Sequence, residues 1–264
     1  MMYVVDPADS TKKIWLSEQL EQVSIPHTGS THFSHELERH KDRAKQRVLD
    51  HGLATARFCV VTADQPYIGQ GAELGFPLFV KPTNEGGGKG VDEHSIVRTP
   101  EQLHDKVSTL RAKYNSSILI EQYLDGREFS VAVIKNQTSD QLIAMPLELI
   151  APEDANGARM LGHQVKTSNL EQVIGVNDSE ERKMIATFAI NVFRALGARD
   201  YGRIDIRFDG KGVPHFLEAN LIPSLISGYG SFPKAYKLNQ GVEYDEMINN
   251  IVLLGLARAP VATY

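Results

Sequence analysis

The segment at 201–220, YGRIDIRFDGKGVPHFLEAN, decides the fold. Runs of strand character at 203–208 and 213–220 flank the sequence Asp-Gly-Lys-Gly, a combination that predicts a β-hairpin. Because side chains two residues apart share one face of a strand, Arg203 and Asp205 should project together. The hairpin therefore carries polar groups to one face of a sheet.

The register of this hairpin decides which polar groups meet. We expect Phe208 to pair with Val213 across a four-residue loop, which places Arg203 opposite Glu218. Any even loop length preserves the shared face, whereas a one-residue bulge would break it. The face then carries two carboxylates, an amide and a guanidinium, from Asp205, Glu218, Asn220 and Arg203.

This combination of side chains suits a metal and an anion. Oxygen donors from Asp, Glu and Asn favour a hard cation such as Mg²⁺, which commonly takes few protein ligands together with substrate phosphates. A neighbouring arginine can hold a phosphate or a developing oxyanion. The alternative is a solvated hairpin face with salt bridges, since charged sheet faces are common.

A glycine-rich segment, KPTNEGGGKG at 81–90, directly follows a predicted strand at 76–82. Glycines let backbone N–H groups curl around phosphate oxygens, and a flanking lysine adds positive charge. The segment is neither a Walker A loop nor a GxGxxG dinucleotide turn. A flexible loop between strands is the alternative interpretation.

The rest of the pattern predicts an α+β chain. Helices are predicted at 34–50, with Ser34 as the cap, and at 100–114, 177–197 and 244–258. Further strands are predicted at 117–124, 128–135 and 141–150. The polar, unperiodic stretch at 151–175 is predicted to be a long loop.

Composition excludes several functional classes. Lys plus Arg total 28 and Asp plus Glu total 33, a net charge of −5, which disfavours sequence-independent nucleic-acid binding. The apolar runs are too short for a membrane span, and MMYVVDPADS does not resemble a secretion signal. The single cysteine, Cys59, excludes an intrachain disulfide. We therefore expect a cytoplasmic protein without a nucleic-acid or membrane partner.

Five segments, taken in order, resemble the ATP-grasp superfamily and most closely its D-alanine–D-alanine ligase branch. They are SIPHTGST (24–31), HKDRAK (40–45), FPLFVKPTNEGGGKG (76–90), ILIEQYLDGREFSVAVI (118–134) and YGRIDIRFDGKGVPHFLEANLIPS (201–224). The resemblance implies an ATP-grasp fold in which two α+β subdomains clamp ATP. It divides the chain into an N-terminal remnant at 1–33, a small subdomain with the hinge at 34–136, and a large subdomain with the metal site at 137–264.

The resemblance also implies functional residues. Nucleotide binding is implied for Lys41, Lys81, Glu85, Gly86, Gly87, Gly88, Glu121, Gln122, Tyr123, Leu124, Glu128 and Leu217. In this set the lysines hold the phosphates, the glycines cover them, the segment at 121–124 meets adenine, and Glu128 meets the ribose. Asp205, Glu218 and Asn220 are implied as ligands of Mg²⁺, with two ions expected and Mn²⁺ as a substitute. Arg203 is implied at the transferring phosphate, and Lys166 on the loop that closes over the phosphates.

The implied reaction joins a carboxylate to an amine. ATP phosphorylates the acid, and an amine attacks the resulting acylphosphate to form an amide or peptide bond, with amino-acid-like small molecules as substrates. Two alternatives stay open: an ATP-grasp enzyme that acts on a non-amino-acid acid, and a nucleotide-binding module that depends on a partner protein. A homodimer is also left open.

The chain departs from the family pattern at the substrate end. Only 23 residues precede the first matched segment, where the family has a domain that supplies an acid for the first substrate. The paired serines of the family are Gly87 and Gly88 here, and its tyrosine after the loop lysine is Thr167. Its Pro-Gly is Pro223 followed by Ser224. We therefore expect a product other than D-Ala-D-Ala.

Overall fold

The computed structural model describes residues 3–258 except 7, 68, 115, 155, 156, 163, 166, 167 and 169. The helices in this part are α1 (Leu16–Gln22), α2 (His32–Arg39), α3 (Lys41–Asp50), α4 (Pro100–Lys113), α5 (Ser179–Ala195), α6 (Ser231–Gln240) and α7 (Tyr244–Leu256). The strands are β1 (Tyr3–Asp6), β2 (Asp9–Trp15), β3 (Phe58–Val61), β4 (Leu78–Pro82), β5 (Ile96–Val97), β6 (Ile118–Gln122), β7 (Glu128–Lys135), β8 (Leu142–Ile150), β9 (Gln172–Gly175), β10 (Tyr201–Phe208) and β11 (Pro214–Asn220).

The strands form antiparallel sheets of two, four and five strands. The small hairpin pairs β1 with β2, the four-stranded sheet has the order β3-β6-β4-β5, and the five-stranded sheet has the order β11-β10-β7-β8-β9. Helix α4 packs against the four-stranded sheet. Helices α5 and α6 pack against opposite faces of the five-stranded sheet. The α+β class predicted from the sequence is confirmed.

Side-chain caps start two of the predicted helices. Thr99 Oγ1 accepts a hydrogen bond from the backbone N–H of Gln102 at 3.3 Å, and Pro100 is the first residue of α4. Asp178 Oδ1 accepts from the N–H of Glu181 at 2.7 Å at the start of α5. Each cap provides an acceptor for a backbone donor that the first helical turn leaves without an internal partner.

The predicted helix at 34–50 is wrong as a single element. His40 has extended backbone angles, φ −107° and ψ 90°, and separates α2 from α3. The break lets the N–H of Lys41 donate to the carbonyl of Thr83 at 3.0 Å. Ser34 is not a cap, since it is buried within α2 and its hydroxyl donates to the carbonyl of Gly197 at 2.8 Å. As a result, Lys41 begins a helix beside the glycine-rich loop.

Sheet membership changes between β6 and β7. Helices α2 and α3 contact β11, in the five-stranded sheet, although they fall within the segment predicted as the small subdomain. The buried side chains Ala44 and Val48 of α3 join the core formed with Phe193, Ile206 and Phe216. The division of the chain at 33 and 136 stays a prediction.

Some elements were not predicted. Strand β9 occupies the end of the stretch at 151–175 that was predicted to be a loop, and it pairs with β8. Strand β3 and helix α6 were missed because neither segment carries a strong periodic or capping signal. None of the helices in the described residues is long and apolar enough to cross a membrane.

The N-terminal hairpin docks on α2 through a buried histidine. His35 is 4% exposed, its Nδ1 lies 3.0 Å from Ser17 Oγ, and its ring centre lies 5.2 Å from the ring centre of Trp15. Burial, reinforced by the charge of nearby His27, lowers the pKa of His35 to about 4. The folded protein therefore holds this imidazole neutral at pH values where the unfolded chain protonates it.

We expect His35→Asn to make stability less sensitive to acid. The unfolded chain takes up a proton near pH 6.5, while folded His35 stays neutral down to about pH 4, so this residue lowers the free energy of unfolding by about 2 kcal/mol between pH 7 and pH 5. Urea unfolding at both pH values would show a smaller loss in the variant. Other groups titrate in both proteins and cancel in the difference; equal losses would contradict the assignment.

Candidate active site

The hairpin of β10 and β11 has a different register from the predicted one. Phe208 pairs with Pro214 rather than Val213, so five residues rather than four connect the strands. A bulge then follows between Asp205 and Ile206, where the partner strand carries the extra residue Leu217. The odd loop and the bulge each shift the side-chain alternation by one residue, so their effects on the face cancel.

The predicted polar face therefore survives with different pairs. Arg203 lies opposite Asn220, and Asp205 lies opposite Glu218. Between them, Ile204 alternates onto the other face and is fully buried in the core. The four predicted side chains thus lie on the face of the hairpin opposite to that of the buried Ile204.

Asp205 is the best-anchored carboxylate on this face. Arg203 donates to both of its oxygens, from Nε at 2.9 Å and from Nη2 at 2.8 Å. Ser130 Oγ donates to Oδ1 at 2.9 Å, and Asn220 Nδ2 lies 3.3 Å from Oδ2. Arg203 Nη1 also donates to Ser231 Oγ at 3.2 Å, which ties the start of α6 to the site.

A cleft lies between this face and the four-stranded sheet. The predicted residues that line it are Lys41, Lys81, Glu85, Gly88, Glu121, Gln122, Tyr123, Leu124, Glu128, Asp205, Leu217 and Glu218. The predicted residues that do not line it are Gly86, Gly87, Arg203 and Asn220. Lys166 and Thr167 lie outside the described residues. The individual binding roles of all these residues stay predictions.

Lys41 connects the two walls of the cleft. Its Nζ donates to the backbone carbonyl of Glu85 at 2.6 Å and lies 3.7 Å from Glu218 Oε2. Since Lys41 is the first residue of α3, the break at His40 is what aims it into the cleft. One cationic side chain thus joins the glycine-rich loop to the carboxylate hairpin.

Glu121 lies between two lysines and is only 2% exposed. Its Oε1 lies 2.7 Å from Lys81 Nζ, and its Oε2 lies 2.8 Å from Lys45 Nζ. Burial alone would raise the pKa of Glu121, but the two ammonium groups hold it below its ordinary value. Burial lowers the pKa of Lys45, and that effect is opposed by Glu121. The carboxylate of Glu121 therefore forms an ion pair with each of the two lysines.

Tyr123, in the segment at 121–124, holds the loop at 151–162 through its hydroxyl. Its hydroxyl donates to the carbonyl of Arg159 at 2.9 Å and accepts from the N–H of Arg159 at 3.0 Å. Arg207 Nη2 also donates to this hydroxyl at 2.9 Å, while Arg207 Nη1 donates to Glu128 Oε2 at 3.2 Å. Arg207 was not predicted, although it shares its strand face with Asp205, two residues away.

Apolar cleft residues were also missed. Phe79, Val91, Met160 and Leu161 line the cleft together with the predicted Leu217. Phe79 could have been found by alternation, since it lies two residues before Lys81 on β4 and its ring centre is 5.2 Å from the Lys81 ammonium. The others belong to loops, where no periodic pattern indicates which way a side chain faces. Together they form surfaces suited to a flat aromatic ring.

Glu38 is a further polar residue that the sequence did not reveal. The backbone amides of Leu221 and Ile222 hydrogen bond to its carboxylate, and its Oε2 is buried without a hydrogen-bond partner among the described residues. Burial raises the pKa of Glu38 to about 7, and those amides together with Arg203 oppose the rise. Glu38 thereby holds the chain immediately after Asn220. In sequence it belongs to a charged run typical of an exposed helix.

The glycine-rich loop has a backbone that requires glycine. Gly87 and Gly88 have φ values of 64° and 77°, in the left-handed region that disfavours other residues. No atom lies within 4 Å of the position that a Cβ on Gly87 would occupy, so the restriction there comes from the backbone rather than from space. The two glycines that replace the serines of the family pattern therefore fit the conformation of this loop.

The family model for the D-ala D-ala ligase C-terminus matches residues 48–253, more than three quarters of the chain. The chain belongs to this family. The D-alanine–D-alanine ligase B of Xanthomonas campestris pv. campestris is 30% identical over 235 residues, which cover 87% of this chain and 69% of that protein. The predicted resemblance to the D-alanine–D-alanine ligase branch and the predicted ATP-dependent ligase class are confirmed.

Two solved structures support the fold. D-alanine–D-alanine ligase from Bacillus anthracis, complexed with ATP, has a TM-score of 0.73 at 22% identity, over 90% of this chain and 73% of that chain. VanG D-Ala:D-Ser ligase from Enterococcus faecalis has a TM-score of 0.70 at 22% identity, over 89% of this chain and 66% of that chain. The predicted ATP-grasp fold is confirmed.

We expect Tyr123→Phe to loosen the loop at 151–162 without removing the ring from the cleft. The change deletes three hydrogen bonds that converge on one hydroxyl, each worth about 1 kcal/mol in net stability. Hydrogen–deuterium exchange should become faster in peptides that cover this loop and stay unchanged in peptides from β10.

The matched control is Tyr244→Phe, which alters a tyrosine at the exposed start of α7. This variant should leave exchange in the loop at the wild-type rate. If Tyr123→Phe also exchanged at the wild-type rate, the hydroxyl would not be what holds the loop.

Proposed function

We propose that this protein is a carboxylate–amine ligase that uses ATP and Mg²⁺ and acts on amino-acid-like substrates other than a pair of D-alanines. The observation that carries the proposal is the cleft that brings Lys41 and Lys81 together with the carboxylates Asp205 and Glu218. Family membership supports the ligase class and the use of ATP. The departures at Gly87, Gly88 and Ser224 support a different substrate.

In this proposal the nucleotide occupies the end of the cleft that is lined by the segment at 121–124. Phe79 and Leu217 face its base, Glu128 accepts hydrogen bonds from the ribose hydroxyls, and Lys41 with Lys81 holds the phosphates. The lysines suit this role because phosphoryl transfer depends mainly on positioning and charge neutralisation. Lys166, which lies outside the described residues, is assigned to the phosphates by the family resemblance alone.

The metal site consists of Asp205, Glu218 and Asn220. The described residues contain no group of three or more His, Cys, Asp or Glu side chains arranged for a metal, and this set has only two carboxylates and an amide. Oxygen donors alone, few in number, are what Mg²⁺ takes when phosphates complete its shell. Two Mg²⁺ ions, or Mn²⁺ in their place, would neutralise phosphate charge.

The reaction then has two steps. A carboxylate oxygen of the acid attacks the γ-phosphorus, the bond to the bridging oxygen of ADP breaks, and an acylphosphate forms. The amine nitrogen attacks the acyl carbon, inorganic phosphate leaves with the oxygen, and the nitrogen loses a proton. Arg203, held by Asp205 and Ser231, stabilises negative charge on the transferring group and on the tetrahedral intermediate.

The metal assignment predicts the effect of Glu218→Gln. The substitution keeps the shape of the side chain and removes the charge that holds Mg²⁺, so kcat/KM should fall by about two orders of magnitude or more. ADP release would be measured alongside circular dichroism. Glu243→Gln, a change to an exposed carboxylate near Lys237, serves as the control and should keep full activity. Near-wild-type turnover in a folded Glu218→Gln protein would make the hairpin face structural.

The substrate assignment predicts that D-alanine alone supports little ADP release. A panel of amino acids and other acids and amines, tested singly and in pairs, should contain a pair that releases ADP and phosphate together with an amide product. The Xanthomonas campestris ligase B, assayed in parallel, provides the positive control for D-alanine.

The outcomes of this panel distinguish the competing functions. Robust D-Ala-D-Ala formation would refute the substrate proposal. ADP release with an acid that is not an amino acid, with or without an amine, would favour the enzyme that acts on a non-amino-acid acid. Activity that requires an added protein would favour the partner-dependent module.

A further inference from the structure

Lys45 is a charged residue that is fully buried at 0% exposure. It lies one turn after Lys41 on α3, and its Nζ contacts three groups from other elements. These are Glu121 Oε2 at 2.8 Å, Thr55 Oγ1 at 2.7 Å and the backbone carbonyl of Phe216 at 3.2 Å. Such burial is rare for lysine and requires a compensating arrangement.

The contacts of Lys45 identify its charged form. Thr55 Oγ1 donates its own hydrogen to the Phe216 carbonyl at 2.7 Å, so it accepts from Lys45. All three partners of Nζ are therefore acceptors. An ammonium group has three N–H donors, whereas a neutral amine has two. The geometry fits a protonated Lys45 that donates hydrogen bonds to Thr55 Oγ1 and to the Phe216 carbonyl and whose charge lies 2.8 Å from the Glu121 carboxylate.

The charge of Lys45 affects the net charge of the cluster around Glu121. Glu121 faces Lys45 with one carboxylate oxygen and Lys81 with the other, so the cluster holds two positive charges and one negative charge. Lys81 and Glu121 both line the cleft, and Lys45 is not among the described residues that line it. If Lys45 were neutral or absent, Glu121 would compensate Lys81 alone, and the cleft would lose the positive charge that an anionic ligand needs.

We infer that Lys45 is a positioning residue for nucleotide phosphates: it neutralises Glu121 and so leaves the charge of Lys81 available in the cleft. This inference rests on the proposed function, in which Lys81 binds phosphates. Lys45 never touches the nucleotide and acts through Glu121. Lys45 also donates a hydrogen bond to the carbonyl of Phe216, the neighbour of Leu217. This bond connects Lys45 to the strand that carries Glu218.

The test separates a phosphate-specific effect from general damage. Isothermal titration calorimetry would compare Mg·ATP with adenosine, which occupies the base and ribose sites but has no phosphates. In Lys45→Met, the affinity for Mg·ATP should fall about tenfold or more, while the affinity for adenosine stays within about twofold of wild type. The substitution leaves Glu121 paired with Lys81, so the fold should persist.

A double variant tests whether Lys45 acts through Glu121. Lys45→Met combined with Glu121→Gln removes one positive and one negative charge together, so Lys81 regains an uncompensated charge. Most of the ATP affinity lost in Lys45→Met should return. This variant also buries no unpaired carboxylate. If Lys45→Met fails to fold, the affinity of the double variant for Mg·ATP is compared with that of the wild type, and a loss of about tenfold or more would contradict the inference.

The matched control is Lys106→Met. Lys106 is another buried lysine, 4% exposed, whose Nζ lies 2.7 Å from Asp92 Oδ1 and which does not line the cleft among the described residues. This variant should lose thermal stability and keep both affinities.

Several results would overturn the inference. These are a wild-type affinity for Mg·ATP in folded Lys45→Met, equal losses for ATP and adenosine, and a double variant that binds ATP as weakly as Lys45→Met or more weakly. Failure of the proposed function would look different, because the wild-type protein itself would then bind no ATP.

Discussion

The ion triad of Lys45, Glu121 and Lys81 is the interaction on which the geometry of the cleft depends. Burying charged groups is unfavourable unless each one keeps its partners, so the elements that supply them cannot shift independently. Lys45 comes from α3, Glu121 from β6 and Lys81 from β4, and Lys45 also reaches the Phe216 carbonyl on β11. The four-stranded sheet is thereby held against the carboxylate hairpin, and the cleft opens where they meet.

Much of the carboxylate face could be predicted from the sequence, because side-chain alternation depends only on residue parity. The strands, the turn signal and the shared face of Arg203 and Asp205 follow from local pattern. The register does not, since the five-residue loop and the bulge at Leu217 are set by packing. The longer loop and the bulge each shift the alternation of side chains by one residue, and because the two shifts cancel, the predicted face is unchanged. Arg207 was missed although the same alternation places it on this face.

Tertiary contacts explain what the sequence could not predict around Lys41. The run at 34–50 has the composition of one continuous helix. The break at His40 depends on an acceptor, the Thr83 carbonyl, that lies 42 residues from Lys41 in sequence. The burial of Lys45 likewise depends on partners from β6 and β11. Composition favours an exposed lysine, so no local signal distinguishes this residue from its neighbours.

In the proposed function, the nucleotide end and the substrate end of the site are constrained differently. At the nucleotide end each polar group has several protein partners: Arg207 alone holds Glu128, Tyr123 and the carbonyl of Arg159. Changing one such group disturbs the others, because each partner would be left unsatisfied. At Gly87, where the family pattern has a serine, open space surrounds the Cβ position. A side chain at this position would meet no packed neighbour, and the positive φ of Gly87 is what restricts it, so packing does not fix the part of the loop that differs from the family pattern.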